Sequence, residues 1–141
     1  MRKRLMIVIA GASLLLAAVP VWAHHAFAAE FDAKKPVKLE GKVTKMEWIN
    51  PHAWIHIDVK NTDGTVTSWM IEGGTPNTLL RRGFTKDSLA IGTEVVVDGY
   101  QAKDGSFRAN GRDITFTDGR KLFLGSNNAN EGAPNQEPEK K

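Results

Sequence analysis

The sequence predicts a mainly β protein. Apolar and polar side chains alternate over most of residues 35–124, which is the period of a strand with one buried face. One stretch near residue 76 breaks that period and carries helix-terminus signals instead. Three strands, one short helix between strands 3 and 4, and two or three further strands make the chain order of a small OB-like barrel of five to six strands. A β-sandwich with one helical crossover is the alternative, since it buries the same strand faces.

The first two predicted strands lie on either side of a bend. Residues 37–44 alternate regularly, and residues 54–60 place Ile55 and Ile57 on one face and Trp54 on the other. The stretch NTDG follows the second strand and combines the residue types that favour a tight turn. We therefore expect a hairpin that leads into the third strand.

The third strand and the helix come next. Gly64 supplies the positive φ that the hairpin turn needs, and residues 65–72 form the returning strand. Thr75 is a suitable N-cap for a helix over roughly Pro76–Arg82, with proline in the first helical position, and Gly83 suits the C-terminal cap. Residues beyond this helix resume the two-residue period.

The last predicted strands cover residues 92–102 and 106–117, followed by a short arm within 118–125. The tail after them contains Gly, Ser, Asn, Pro, Glu and Lys without a large apolar side chain. Such a segment cannot bury enough surface to offset its ordering entropy. The predicted organisation is a signal peptide (1–23), an N-terminal segment (24–34), a barrel domain (35–124) and a disordered tail (125–141).

The signal peptide is predicted from three features. Three basic residues at positions 2–4 precede an uncharged run from Leu5 to Val19, and Val21 and Ala23 place small residues before the expected cut. The run of 15 residues is shorter than the roughly 20 that cross a bilayer as a helix. We therefore expect cleavage after Ala23, export to the periplasm or beyond, and no membrane anchor in the mature protein.

Charge and composition exclude several function classes. Three of the 19 basic residues lie in the leader, so the mature chain has 16 basic and 16 acidic residues. A net charge of zero does not suit a nucleic-acid binder, which works by neutralising phosphates. The sequence has no cysteine, which excludes disulfides and thiolate metal sites.

Several long motifs in the mature chain resemble a known family. The stretches HHAFAAEFD, EWINPHAWIHIDV, GTPNTLLRRGFTKDSL and DGYQAKDGS are similar, in this order, to small exported bacterial proteins that carry domain of unknown function 6152. The resemblance extends from His24 to about Gly125. It implies export and a β-rich fold, and it implies no reaction, cofactor or ligand.

Four histidines are candidate metal ligands. Cleavage at the predicted position makes His24 the first residue, whose α-amine, with an ordinary pKa of about 7.7–8.0, forms a chelate with its own imidazole. One more imidazole completes a three-nitrogen site that suits Cu(II). His52, at the bend that opens a strand, is the preferred third ligand, and His25 and His56 are the substitutes.

The spacing of the histidines limits this hypothesis. Residues four apart in a regular strand lie about 13 Å from each other, so His52 and His56 cannot share one ion if both are in regular strand. Glu30 and Asp32 are further oxygen donors in sequence. In a purely structural alternative, His25 caps the start of the domain and His52 hydrogen-bonds a backbone carbonyl in its turn.

Tryptophans provide the second candidate site. Trp54 lies on the polar face of its strand, Trp48 just before the bend and Trp69 in the third strand. Exposed Trp beside polar groups would bind a partner protein, a peptide or a saccharide. The alternative is that these rings are packed into the interior, where large aromatics are usually found.

No catalytic motif is present in the sequence. It contains no nucleophile-elbow serine, no His-Glu-x-x-His and no phosphate-binding glycine loop. We therefore expect a non-enzymatic binding module. Cu(II) binding through the mature N-terminus is the leading hypothesis, and a metal-free interaction module that uses a Trp-bearing barrel face is the alternative.

Overall fold

The computed structural model describes residues 27–125. The predicted signal peptide, its cleavage site, His24 and His25 lie outside the described residues, and so does the predicted tail beyond Gly125. Within that range one sheet contains six strands. They are β1 (Phe31–Glu47), β2 (Trp54–Lys60), β3 (Val66–Glu72), β4 (Glu94–Ala102), β5 (Arg108–Phe116) and β6 (Lys121–Phe123).

Five of the strands form a ring of hydrogen-bonded pairs. The sheet order is β3-β2-β1-β4-β5-β6, and an additional parallel pairing of β3 with β5 joins the ends of the first five strands. The other pairings are antiparallel. The helix α1 (Pro76–Arg81) lies between β3 and β4 in the chain. The mainly β, OB-like prediction is therefore confirmed as a barrel-like sheet with its helix in the expected place.

The first strand is longer than the alternation of residues predicted, because it pairs with another strand along each of its two edges. It pairs with β2 and with β4, and its register shifts once in each pairing. Gly41 lies where both pairings overlap, opposite Val59 on β2 and Val95 on β4. A Cβ at this position would lie 2.5 Å from the carbonyl oxygen of Asp58, so glycine allows β2 to approach β1 closely.

The predicted turn and cap residues have the predicted roles. The Thr75 hydroxyl accepts a hydrogen bond of 3.2 Å from the backbone N–H of Thr78, as an N-cap does. Gly83, after the helix, has a φ of 79°. Gly64, in the hairpin between β2 and β3, has a φ of 87°. Both glycines therefore adopt the left-handed backbone that favours this residue.

The main core contains the apolar residues that alternate along the strands, together with side chains from α1 and the segment after it. Its most deeply buried side chains are Phe84, Ile55, Ile57, Ile71, Leu79, Ile114, Leu124, Val43 and Val97. Neither of the helical segments within residues 27–125 has the length and hydrophobicity needed to span a bilayer.

A second apolar cluster holds the N-terminal segment against β4. Phe27 lies in a helical segment that includes residues 27–30, and its ring meets Tyr100 edge-on at 5.8 Å and Phe31 at 5.9 Å. Ala102 completes the cluster. The carbonyl of Glu30 accepts a 2.9 Å hydrogen bond from the backbone of Lys103. The chain that follows the predicted N-terminal histidines is thus fixed on the sheet from Phe27 onward.

Candidate functional site

His52 lies in the loop between β1 and β2, two residues before β2 begins. Its Nδ1 contacts Oε1 of Glu72, the last residue of β3. Glu72 is one of two buried polar residues in the described part of the chain and is 8% exposed, whereas the His52 side chain is 33% exposed. A buried carboxylate needs a partner, and His52 supplies it.

The electrostatics of this pair favour a protonated imidazole. The hydrogen bond to Glu72 raises the pKa of His52 above its ordinary value, and the charges of Glu72 and Glu30 add to the effect, while partial burial opposes it. The contact also selects the tautomer, because Nδ1 must carry the proton that it donates to the carboxylate. In the neutral ring, Nε2 then holds the free lone pair.

His56 has a different carboxylate partner. Its Nε2 lies 2.7 Å from Oε2 of Glu47, and Nζ of Lys45 donates to the other oxygen of Glu47 at 2.8 Å. These contacts lower the pKa of Glu47, with the Lys45 hydrogen bond as the largest cause and the His56 hydrogen bond as the next. The two described histidines therefore belong to two separate pairs, one in the loop and one on the outer face of β2.

One row of cross-strand partners, on the side of the sheet opposite the main core, includes the carboxylates of both pairs. Cross-strand partners run from Tyr100 on β4 through Asn110 on β5, Glu72 on β3 and Trp54 on β2 to Glu47 on β1. Neighbouring strands lie about 4.8 Å apart, and directly paired residues share a face. This row therefore begins at Tyr100, on which Phe27 packs, and passes through Glu72, whose carboxylate contacts His52.

The described residues alone do not form a metal centre. Within residues 27–125, no group of three or more His, Cys, Asp and Glu is placed to hold an ion. Glu30 lies 3.5 Å from Arg108, and Asp32 accepts a 2.9 Å hydrogen bond from the backbone of Lys34. Because His24 and His25 lie outside the described residues, their meeting with His52 stays a prediction.

The three candidate tryptophans have different surroundings. Trp69 is 8% exposed and belongs to the main core, with its ring against that of Phe107 at 5.4 Å. Trp48 packs on the core and stacks on Phe84 at 6.4 Å and 16°. Trp54 is partly exposed on the outer side of the sheet, between Glu47 and Glu72. The tryptophans therefore do not share one exposed face.

Sequence reasoning did not single out Glu72 and Glu47. Both stand at the end of a strand, and both alternate out of phase with the core residues of that strand, as Glu72 does with Ile71. That phase predicts an outward position. The pairing with His52 and His56 depends on the register of three strands, which a single sequence does not provide.

Together the fold and the site define a small, mainly β protein with a barrel-like sheet and two histidine–carboxylate pairs at neighbouring positions. Residues 12–111 match the family described as Family of unknown function (DUF6152). The match covers more than half of the 141 residues, and the chain belongs to this family, as its motifs predicted. No curated protein and no solved structure matches the chain.

Proposed function

We propose that this protein is an exported, non-enzymatic binding module that binds Cu(II) through the mature N-terminal His24 and His52. The observation that carries the proposal is the contact between Nδ1 of His52 and the buried carboxylate of Glu72. Metal-binding histidines commonly donate one ring N–H to a carboxylate, which orients the ring and increases the basicity of the other nitrogen. Glu72 gives His52 this arrangement and leaves Nε2 for the ion.

The N-terminal residue supplies the other ligands in this proposal. The α-amine and the imidazole of His24 form a chelate that a His residue inside a chain cannot form, since its backbone nitrogen is an amide. Together with Nε2 of His52 they give three nitrogen donors, a set that Cu(II) binds well. The sequence supports this part through the predicted cleavage after Ala23.

The path of the chain supports the same pairing. Phe27, three residues after His24, packs on Tyr100, and Tyr100 is two cross-strand steps from Glu72 through Asn110. Two such steps amount to about 10 Å. The charge of Glu30, in the same anchored segment, is the last of the causes that raise the pKa of His52, after the hydrogen bond and the charge of Glu72. The anchored N-terminal segment and His52 thus approach the same region of the sheet.

A metal-free interaction module is the second candidate, and one observation favours it. Trp54 is a large aromatic side chain on the outer side of the sheet that does not belong to the apolar core. A protein, peptide or saccharide that docks there would not depend on a free N-terminus. The two candidates therefore separate in one experiment.

The experiment is a calorimetric Cu(II) titration of the protein that begins at His24. We expect one equivalent to bind against a mild competing chelator. Adding one alanine before His24 removes the chelate, and His52→Gln removes the third nitrogen; each change should weaken binding at least about tenfold, or about 1.4 kcal/mol.

His56→Gln is the matched control, because His56 also pairs with a carboxylate but lies on β2 and faces Glu47. It should bind Cu(II) like the unchanged protein. Equal affinity with and without the added alanine would refute the chelate. A mature protein whose measured mass shows a different first residue would refute it as well.

A further inference from the structure

We infer that the outer face around Trp54 is a separate binding site for a neutral oligosaccharide. The inference does not depend on copper, since the groups that would contact the sugar belong to residues of β1, β2 and β3 and not to His24 or His52. It rests on the position of one partly exposed indole ring and on the way the charges around that ring are already paired.

The register places polar side chains on both sides of Trp54. Its cross-strand partners are Glu47 on β1 and Glu72 on β3. The next outward position along β2 is His56, whose partners are Lys45 and Met70. An indole ring between hydrogen-bonding side chains offers both surfaces that a pyranose needs, since a sugar presents C–H groups on its ring faces and hydroxyls on its rim.

The charges of this face are neutralised within it. Lys45 and His56 each contact one oxygen of the Glu47 carboxylate, at 2.8 and 2.7 Å, and Glu72 contacts His52. A ligand with a net charge would therefore have to compete with an existing partner. The hydroxyls of a neutral ligand do not have to displace these partners. They can form hydrogen bonds at the free positions of the charged groups, and such charge-assisted bonds are strong.

A peptide or protein partner fits this face less well. An apolar side chain placed on Trp54 would remove water from the carboxylate of Glu47, whose side chain is 28% exposed, without replacing its hydrogen bonds, which is costly. Strand addition is also blocked here, because β2 is paired on both sides, with β1 and with β3. Sugar hydroxyls replace the lost water and leave the sheet unchanged.

The test uses the metal-free mature protein and two probes, the β-1,4-linked hexamers of glucose and of N-acetylglucosamine. Each is titrated while amide chemical shifts are recorded by two-dimensional NMR. We expect at least one hexamer to shift amides of residues 45–47, 54–56 and 70–72 in a saturable way. Trp54→Ala should weaken this binding about tenfold or more.

Val66→Ala is the control, since Val66 is an apolar side chain that is 61% exposed and pairs with Lys60, at the other end of β2 from Trp54. It should keep the affinity of the unchanged protein. Millimolar hexamers that shift no amide in these three segments would overturn the inference, and so would equal affinity in a folded Trp54→Ala variant. Shift mapping on the unchanged protein decides the question even if that variant does not fold. Loss of Cu(II) binding would leave these results unaffected.

Discussion

A contact between Nδ1 of His52 and Oε1 of Glu72 joins the bend before β2 to the last residue of β3. The carboxylate side of the pair is nearly inaccessible, with 10% of the Glu72 side chain exposed, while the imidazole side is 33% exposed. Glu72 also pairs with Asn110 where β3 meets β5 in parallel. The contact therefore lies where the ring of strands closes, and it sets both the protonation and the orientation of His52.

Replacing Glu72 with glutamine should lower the pKa of His52. The hydrogen bond to the ionised carboxylate is the largest cause of the raised pKa, and a neutral amide of similar size cannot stabilise an imidazolium in the same way. Chemical shifts of the His52 ring, followed by NMR across the titration, provide the measurement. If Cu(II) binds as proposed, the same variant should weaken it about 10–100-fold, the usual cost of losing such a partner.

Glu47→Gln serves as the control for that titration, since Glu47 contacts His56 and not His52. The titration of His52 should be unchanged in this variant. An unchanged pKa of His52 in Glu72→Gln would mean that the contact with Glu72 is not made in solution.

The His52–Glu72 pair should stabilise the fold more at low pH than at high pH. The pKa of His52 is higher in the folded protein than its ordinary 6.5, so the stabilisation is complete below 6.5 and is lost as the pH rises through the folded value. The free energy of unfolding should therefore differ most between the unchanged protein and His52→Gln near pH 6, and this difference should shrink toward about pH 8. We expect the pair to contribute about 1 kcal/mol or less to the free energy of unfolding, because the ring is partly exposed and solvent screens the pair. Urea denaturation at several pH values measures it, and a difference that grows with pH would contradict the assigned direction.

Alternation and turn chemistry predicted most of the fold, because both are local. The period of two located β2 and β3 to within a residue, and Thr75 and Gly83 marked the ends of the helix. The full length of β1 was not predicted. Its first residues around Phe31 pair with Ala102 far along the chain, and the register shift before Pro36 interrupts the alternation.

Less of the candidate site could be predicted from the sequence, because the site depends on the register in which the strands pair. Trp69 shares its phase with Ile71, so its core position could have been read from the strand itself. The pairing of His52 with Glu72 could not, since it joins a loop to a strand end 20 positions away. Tertiary contact, not local pattern, determines which carboxylate each histidine meets.

Gly41→Ala should destabilise the protein by about 1–3 kcal/mol, the usual range for overpacking. The added Cβ would lie 2.5 Å from the backbone carbonyl oxygen of Asp58, and neither strand can move away without breaking pairs on its other side. Gly73→Ala is the control, because its nearest neighbour would be at an ordinary 3.5 Å and the change should stay within about 0.5 kcal/mol. Urea denaturation of both variants gives the comparison. Equal stabilities would show that β1 and β2 can separate freely at this point.

Phe27→Ala should weaken Cu(II) binding although it removes no proposed ligand. The ring of Phe27 holds the N-terminal segment on Tyr100, and without it the α-amine of His24 would have to be ordered at the moment of binding, which costs conformational entropy. The backbone N–H of Lys103 reports the local change, because it donates to the carbonyl of Glu30 at 2.9 Å and should exchange with solvent faster in the variant. Ile91→Ala, which truncates an exposed side chain before β4, at the opposite end of that strand from Lys103, should leave both the exchange rate of this amide and the affinity for Cu(II) unaltered. Faster exchange at Lys103 with an unchanged affinity would show that the anchored segment does not organise the copper site.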